Sequence, residues 1–247
     1  MNNHITKIDA LVVTSISAPN AVLSNLAQGA KQSFVRFIVI GDSKSPANFF
    51  LEGCEFISLS KQRNFPLLLV RLLPERKYSR KNIGYLLAAK NGAQLIAETD
   101  DDNFALPNFW LPRTRITNVR VADFPGWYNA YAAFGQPQVW PRGFPLQYLG
   151  QGSVLPSSTQ QLIDSPIQQS LANDNPDVDA VFRMTRTLPI RFSEQPPITL
   201  APETWCPFNS QATFWFRDAF ALMYLPTFCS FRMTDIWRSF IAQRIAW

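Results

Sequence analysis

Asp9-Ala-Leu-Val-Val-Thr-Ser-Ile16 and Phe34-Val-Arg-Phe-Ile-Val-Ile-Gly-Asp42 decide the fold class of this chain. Each is a short apolar run bounded by polar residues, which is the signature of a buried strand. Between them, residues 20–31 suit a helix. Pro19 stands near its start, and Val22, Leu26 and Ala30 fall on one face. Strand, helix, strand with this spacing favours parallel pairing through a right-handed crossover. Working outward, Phe56-Ile-Ser-Leu-Ser60 reads as a short third strand, and residues 65–73 are apolar but ambiguous between helix and strand. Residues 78–92 read as a helix with Ser79 as its cap and Asn91-Gly92 as its stop. Ala93 to Ala97 then forms another buried strand. The expected fold is therefore α/β, with a sheet flanked by helices.

That last strand runs directly into Asp100-Asp101-Asp102-Asn103. Three adjacent carboxylates repel one another, and they are tolerated when solvated or when a cation neutralises them. A loop at the carboxyl end of a strand in an α/β protein opens into the usual ligand crevice. With no Cys or His nearby, the donors suit a hard cation, Mg²⁺ or Mn²⁺, shared with phosphate oxygens. A solvated acidic turn is the competing reading. Arg80, Lys81 and Asn82 cluster in the first turn of the preceding helix, where cations oppose the helix dipole. A phosphate or the acidic triplet would compensate them, and a solvated basic turn accounts for them equally well. Asp42 either caps a turn with Ser43 or hydrogen-bonds a ribose. Asp235 is either a first-turn acid that complements a helix dipole or a base.

The second half carries most of the 19 prolines, which predicts more irregular structure there. Residues 117–122 read as a strand, and residues 129–149 as a structured aromatic and proline-rich loop region. Residues 235–247 read as an amphipathic helix capped by Thr234, with Ile236, Phe240, Ile241 and Ile245 as its apolar stripe.

Composition narrows the chemistry. With 247 residues, 47% hydrophobic and 17% charged, the chain is globular and long enough for a real core. Its net charge of +5 is dispersed apart from Arg76 to Lys81, which is weak evidence for nucleic acid. Cys54, Cys206 and Cys229 form no zinc pattern and no disulfide framework, so a reducing, cytoplasmic setting is the simpler expectation. The amino terminus lacks a signal-peptide pattern, and Leu11 to Ile16 is too short to span a bilayer. GxSxG, P-loop and GxGxxG motifs are missing. The single histidine, His4, stands at the amino terminus, which excludes a His-based triad. Chemistry must rest on carboxylates, a metal or electrostatics.

Several blocks carry a family resemblance. Tyr78-Ser-Arg-Lys-Asn-Ile-Gly-Tyr-Leu, Glu98-Thr-Asp-Asp-Asp-Asn, Phe134-Gly-Gln-Pro, Trp140-Pro-Arg-Gly-Phe-Pro-Leu, Ala201-Pro-Glu-Thr-Trp-Cys-Pro-Phe-Asn-Ser-Gln and Thr234-Asp-Ile-Trp-Arg-Ser-Phe-Ile-Ala-Gln-Arg resemble the STELLO-type glycosyltransferase-like family, in the family's order. The acidic triplet, Arg142-Gly-Phe-Pro, Pro176-Asp-Val-Asp-Ala and Asp235-Ile-Trp are also distantly similar to the reversibly glycosylated polypeptides, which include UDP-arabinopyranose mutases.

The resemblance implies a single GT-A-like domain: a Rossmann-like nucleotide-binding half over about residues 1–103, and an irregular acceptor-side half over about 104–247. It implies a metal-dependent transferase with a nucleotide-sugar donor, UDP-linked, and a glycan or other acceptor. Asp100 and Asp102 match the DxD motif and would hold Mn²⁺ or Mg²⁺. Thr14, Ser15, Asp42, Arg80, Lys81, Asn82, Asp100 and Arg142 would face the donor, and Asp235 the acceptor as base. Two departures bear on mechanism. Many such enzymes add a late histidine to the metal, and none stands here. In the mutases a glycosylated arginine follows the Arg-Gly-Tyr-Pro block, whereas Gln147-Tyr-Leu-Gly150 has none, which counts against a sugar mutase. An inert scaffold of the same fold, binding partner proteins, is the alternative of a different class.

Overall fold

The computed structural model describes residues 5–150 and 155–247; His4 lies outside them. In chain order the strands and helices begin β1 (Ile5–Thr6), β2 (Ala10–Thr14), α1 (Ala21–Gln32), β3 (Arg36–Ile40), β4 (Glu55–Ile57), α2 (Leu59–Arg63), α3 (Leu68–Leu72), α4 (Lys81–Lys90) and β5 (Leu95–Thr99). They continue β6 (Arg113–Thr114), β7 (Ile116–Ala122), β8 (Gly126–Trp127), β9 (Gln160–Asp164), β10 (Ile167–Gln169), α5 (Ala180–Thr185), β11 (Ile198–Leu200), β12 (Thr204–Trp205), β13 (Ala212–Phe216) and α6 (Thr234–Ala246).

The described residues fall into two compact units. The first comprises residues up to Arg115, Pro166–Gln168 and Ser210–Thr234, and the second Ile116–Ser165, Gln169–Asn209 and Asp235–Trp247. Each unit is assembled from three stretches of the chain. Segment 210–234 returns to the first unit because β13 pairs antiparallel with β5, from Ala212 against Thr99 to Phe216 against Leu95.

The sheet of the first unit has the order β10-β13-β5-β2-β3-β4. β2 pairs parallel with both β3 and β5, and β3 parallel with β4. This mixed sheet with flanking helices is the α/β architecture that the opening strands predict, and it is consistent with a GT-A-like fold. β2 is continuously apolar because helices cover both faces of a central parallel strand. Its residues Ala10 to Val13 are all buried. Below one face lie Leu23, Leu26 and Ala30 of α1, packed with Leu11, Val13, Phe37, Val39, Leu95 and Phe214. Each such large side chain contributes about 1.5–3 kcal/mol by leaving water. On the other face α4 approaches closely through Gly84. A Cβ there would meet Val12 Cγ1 at 2.4 Å, so only glycine allows this approach.

Two expectations for the helices change. Ser79 does not cap α4. It lies in a 3-10 turn, Tyr78–Arg80, and α4 starts after Arg80 with no side-chain cap. The ambiguous apolar stretch at 65–73 resolves into the short helix α3.

In the second unit β11, β7 and β9 form a three-stranded sheet, and β12 pairs parallel with β8. The aromatic stretch after Asn129 consists of 3-10 turns and loops packed on Val139, Val178, Phe182 and Ile190. α6 departs from its expected stripe. Ile236 is buried, but Ile241 and Ile245 are exposed, and Arg238, Ser239, Ala242 and Gln243 lie inside instead. The reason is polar: Gln243 Oε1 accepts the Cys206 backbone N–H at 3.2 Å, so a buried donor of the adjoining segment is satisfied. Thr234 is the first residue of α6 and not its cap; its hydroxyl donates back to the Ser230 carbonyl at 3.2 Å.

Candidate functional site

The candidate residues form two constellations, one in each unit. The first stands where β5 ends and the acidic triplet begins. Each of its three carboxylates has a different anchor. Asp100 Oδ1 accepts the Tyr78 hydroxyl at 2.6 Å and stands 3.4 Å from the Lys81 ammonium. The Ser15 hydroxyl donates to Asp101 Oδ2 at 2.5 Å. Asp102 is exposed, and the Asn103 amide donates to its Oδ1 at 2.6 Å. The backbone is fixed as well. Asn20 caps α1 by accepting the Leu23 N–H at 2.8 Å, while its amide donates to the Asp101 carbonyl at 3.0 Å. One residue thus starts the helix and fixes the turn that holds the acids.

Beneath the triplet lies a buried polar network. The Lys81 side chain is fully buried; its ammonium donates to the Thr99 carbonyl and the Tyr78 hydroxyl, each at 2.8 Å, and stands 3.7 Å from Glu98 Oε2. Glu98 also accepts from the Tyr85 hydroxyl and, at 2.8 Å, from Trp215 Nε1. The Tyr78 hydroxyl is in addition 2.7 Å from Ser210 Oγ. A buried charge needs such partners, since burial without them is costly. Around the end of β5 four carboxylates, Glu98 and Asp100 to Asp102, thus gather close to the Lys81 ammonium.

Other sequence candidates in this unit take structural partners. Arg80, 2% exposed, donates to Gln62 Oε1 and to the Leu73 carbonyl at 2.9 Å, and burial holds its guanidinium below its ordinary pKa. Asn82 clamps the backbone of Leu225 from both sides, donating to its carbonyl and accepting its N–H, each at 2.9 Å. Asp42 accepts the Ser43 N–H at 2.7 Å and the Lys77 N–H at 3.2 Å, so it caps the turn after β3. Thr14 ends β2, half-buried. Of the donor-facing set expected in this unit, the structure brings Ser15, Lys81 and Asp100 into or beside the triplet. It commits Arg80, Asn82 and Asp42 to holding loops.

The second constellation is centred on Arg142. Its Nη atoms reach both Asp235 oxygens at 2.9 and 2.7 Å, and its Nε stands 2.7 Å from both oxygens of Asp177. The Arg142 side chain is 14% exposed, those of Asp177 and Asp235 13% and 7%. Burial alone would lower the Arg142 pKa, but the hydrogen bonds it donates to Asp177 and Asp235, with their negative charge, outweigh burial and raise it. Asn209 donates to Asp177 at 2.9 Å, and Gln169 donates to Asn209 at 2.5 Å. Gly143, with φ of +84°, makes this approach possible: a Cβ there would meet Ile236 at 2.4 Å. The expected base, Asp235, is thus a bidentate partner of Arg142.

Sequence reasoning missed Tyr78, Glu98 and Asn20 in the first constellation and Asp177 in the second. Tyr78 and Asp177 stood inside blocks already singled out, but no periodicity marks a side chain as a partner across 22 or 35 residues.

Among the described residues no group of three or more His, Cys, Asp or Glu side chains could hold a metal ion by itself. The donor set at the triplet is nonetheless of the type that suits Mg²⁺ or Mn²⁺. Such ions use one or two carboxylates and complete their shell with water and substrate phosphates.

Comparison with known proteins gives a consistent answer. The chain is 31% identical over 230 residues to the "Probable glycosyltransferase STELLO1" of Arabidopsis thaliana, covering 85% of this chain. It is 30% identical over 230 residues to "Probable glycosyltransferase STELLO2" of the same plant. This chain is a relative of the STELLO-type glycosyltransferase-like proteins. It spans about 30% of the length of these two STELLO relatives. No family model matches. Among the described residues no helix is long and apolar enough to cross a membrane.

Proposed function

We propose that this chain transfers a sugar from a nucleotide-sugar donor, UDP-linked, to an acceptor, with Asp100 and Asp102 holding Mn²⁺ or Mg²⁺. The observation that carries the reading is the row of three carboxylates at the carboxyl end of β5, with Asp102 exposed, set beside Tyr78 and the buried Lys81 and Glu98. The names of the STELLO relatives support it at the level of glycosyl transfer. A metal bound there would neutralise the charge that develops on the departing diphosphate. The chain's own residues supply position. Tyr78 and Lys81 fix Asp100 in one orientation, Ser15 and Asn20 fix Asp101, and Asp102 stays exposed to a ligand. Thr14 and Ser15, at the end of β2, would face the nucleotide. Arg142 is proposed as a donor-side group and Asp235 as the acceptor base.

Calorimetry with UDP and Mn²⁺ tests this. Binding that requires the metal and falls at least tenfold in Asp102→Ala is the expected result. Unchanged binding in Asp102→Ala would sink the metal bridge.

A second reading, a catalytically inert scaffold that binds partner proteins, is favoured by the bidentate hold of Arg142 on Asp235, which leaves that acid engaged. Turnover of any UDP-sugar that disappears in Asp102→Asn would remove this reading.

A further inference from the structure

The second unit contains a cleft that neither constellation uses. It has a volume of about 490 Å³ and is lined by Trp205, Trp247, Glu203, Arg244 and Gly126, with Pro125 and Pro202 at its walls. That volume lies within the ~300–1,000 Å³ range of small-ligand sites.

Four observations converge on its ligand. First, Trp205 and Trp247 stand edge to face, with ring centroids 4.4 Å apart and an interplanar angle of 71°, and both remain half-buried. An indole face carries partial negative charge, which attracts polarised C–H groups as well as cations. Second, the cleft holds one charge of each sign, Glu203 and Arg244. Both are exposed, and neither makes an ion pair or side-chain hydrogen bond among the described residues. A carboxylate accepts hydrogen bonds, and a guanidinium donates in a planar fork. Third, the pair has no net charge, so it suits a neutral ligand rich in both donors and acceptors. Fourth, Glu203 has φ of +66°, a left-handed backbone that a non-glycine residue rarely adopts. It is held there by the strand pair that builds the floor: Gly126 N–H donates to the Glu203 carbonyl at 2.9 Å, and Trp205 of β12 lies beside Trp127 of β8. Strain of this kind persists where the surroundings over-determine it, and it clusters at ligand sites.

We infer that this cleft binds a pyranose ring of a neutral oligosaccharide. The ring's C–H face stacks on the tryptophans, while its vicinal hydroxyls donate to Glu203 and accept from Arg244. A polyproline peptide would also find aromatic and proline walls, but it has no N–H to donate to the Glu203 carboxylate. The choice of a sugar over another polyol rests on the glycosyltransferase reading, for which this cleft would seat part of the acceptor.

The test uses the whole chain without nucleotide or metal. Tryptophan fluorescence and calorimetry are followed during titration with cellohexaose, maltohexaose, mannohexaose and galactohexaose, with a proline-rich decapeptide as comparison. The expected result is a dissociation constant of about 0.1–1 mM for at least one hexasaccharide. Trp247→Ala, Arg244→Ala and Glu203→Gln should each weaken it by about tenfold. Trp247 and Arg244 are preferred to Trp205, which also packs on Trp127 and Phe240 and whose loss would disturb the fold. No binding of any hexasaccharide at about 10 mM, binding unchanged in Trp247→Ala and Arg244→Ala, or binding of the decapeptide alone would each overturn the proposal. UDP–Mn²⁺ calorimetry on Trp247→Ala separates the two readings. Donor binding retained while hexasaccharide binding is lost assigns the defect to the cleft, and loss of both overturns its assignment as a separate subsite.

Discussion

The two acid clusters of this protein use the same residue types for opposite ends. At the end of β5 the Lys81 ammonium stands near Glu98 and Asp100, and the outermost acid of the triplet, Asp102, is exposed. Around Arg142 two carboxylates close on one guanidinium, and all three side chains are 14% exposed or less. The first has an acid open to solvent; the second is a closed pincer of Arg142, Asp177 and Asp235. An exposed carboxylate can meet a ligand at little cost in desolvation, whereas a buried ion pair depends on its partners staying in place.

The largest expected effect comes from breaking the pincer. Arg142→Leu would remove the guanidinium that two buried carboxylates share, and urea unfolding should show a loss of ~4 kcal/mol. A loss under about 1 kcal/mol would mean that the carboxylates relax into water and the pincer is open after all. Next, Lys81→Met should cost ~3 kcal/mol, because Glu98 would keep its hydrogen bonds from Tyr85 and Trp215 but lose its counter-charge.

A pH effect of the next size belongs to the second unit. Burial pushes the Cys206 thiol up to about 11, from an ordinary 9.0. The folded chain then holds a proton that the unfolded chain releases, so stability falls as pH rises from about 9 to about 11. The fall should be on the order of 2 kcal/mol, and Cys206→Ala should make that limb shallower in denaturation midpoints taken across the range.

Tyr78→Phe removes the hydroxyl that holds Asp100 and should cost about 1 kcal/mol while weakening UDP–Mn²⁺ binding in calorimetry. Weakened binding with unchanged stability would sharpen the case that the open cluster is built for its ligand. The smallest effect is a baseline. Lys31 and Glu52 form a surface pair at 2.6 Å with both side chains mostly exposed, and Lys31→Ala should leave the urea midpoint unchanged.

Most of the first unit was legible because its signals are local. β2, α1 and β3 lie where their apolar runs and periodicity put them, β5 begins and ends two residues later than the Ala93–Ala97 run, and burial on both faces accounts for the unbroken Ala10–Val13 run. The acidic triplet was legible as well, since three adjacent carboxylates after an apolar strand can be read without any partner. The helix ends were less so. Ser79 has the chemistry of a cap, yet a 3-10 turn displaces the helix start to Lys81. α6 misled for a related reason: its apolar residues face outward at Ile241 and Ile245 because Gln243 is drawn inward by a backbone donor.

The sequence alone therefore determined the α/β class, the strand that carries the acids and the hard-donor character of the site, all of which depend on neighbours in the chain. Only the tertiary structure decided that β13 returns to pair with β5, that Lys81 lies buried below Asp100, and that Asp177 and Asp235 close on Arg142. Those facts rest on contacts between residues tens of positions apart. Each is settled by which buried donor, acceptor or charge finds a partner, and no window of sequence contains both members of such a pair.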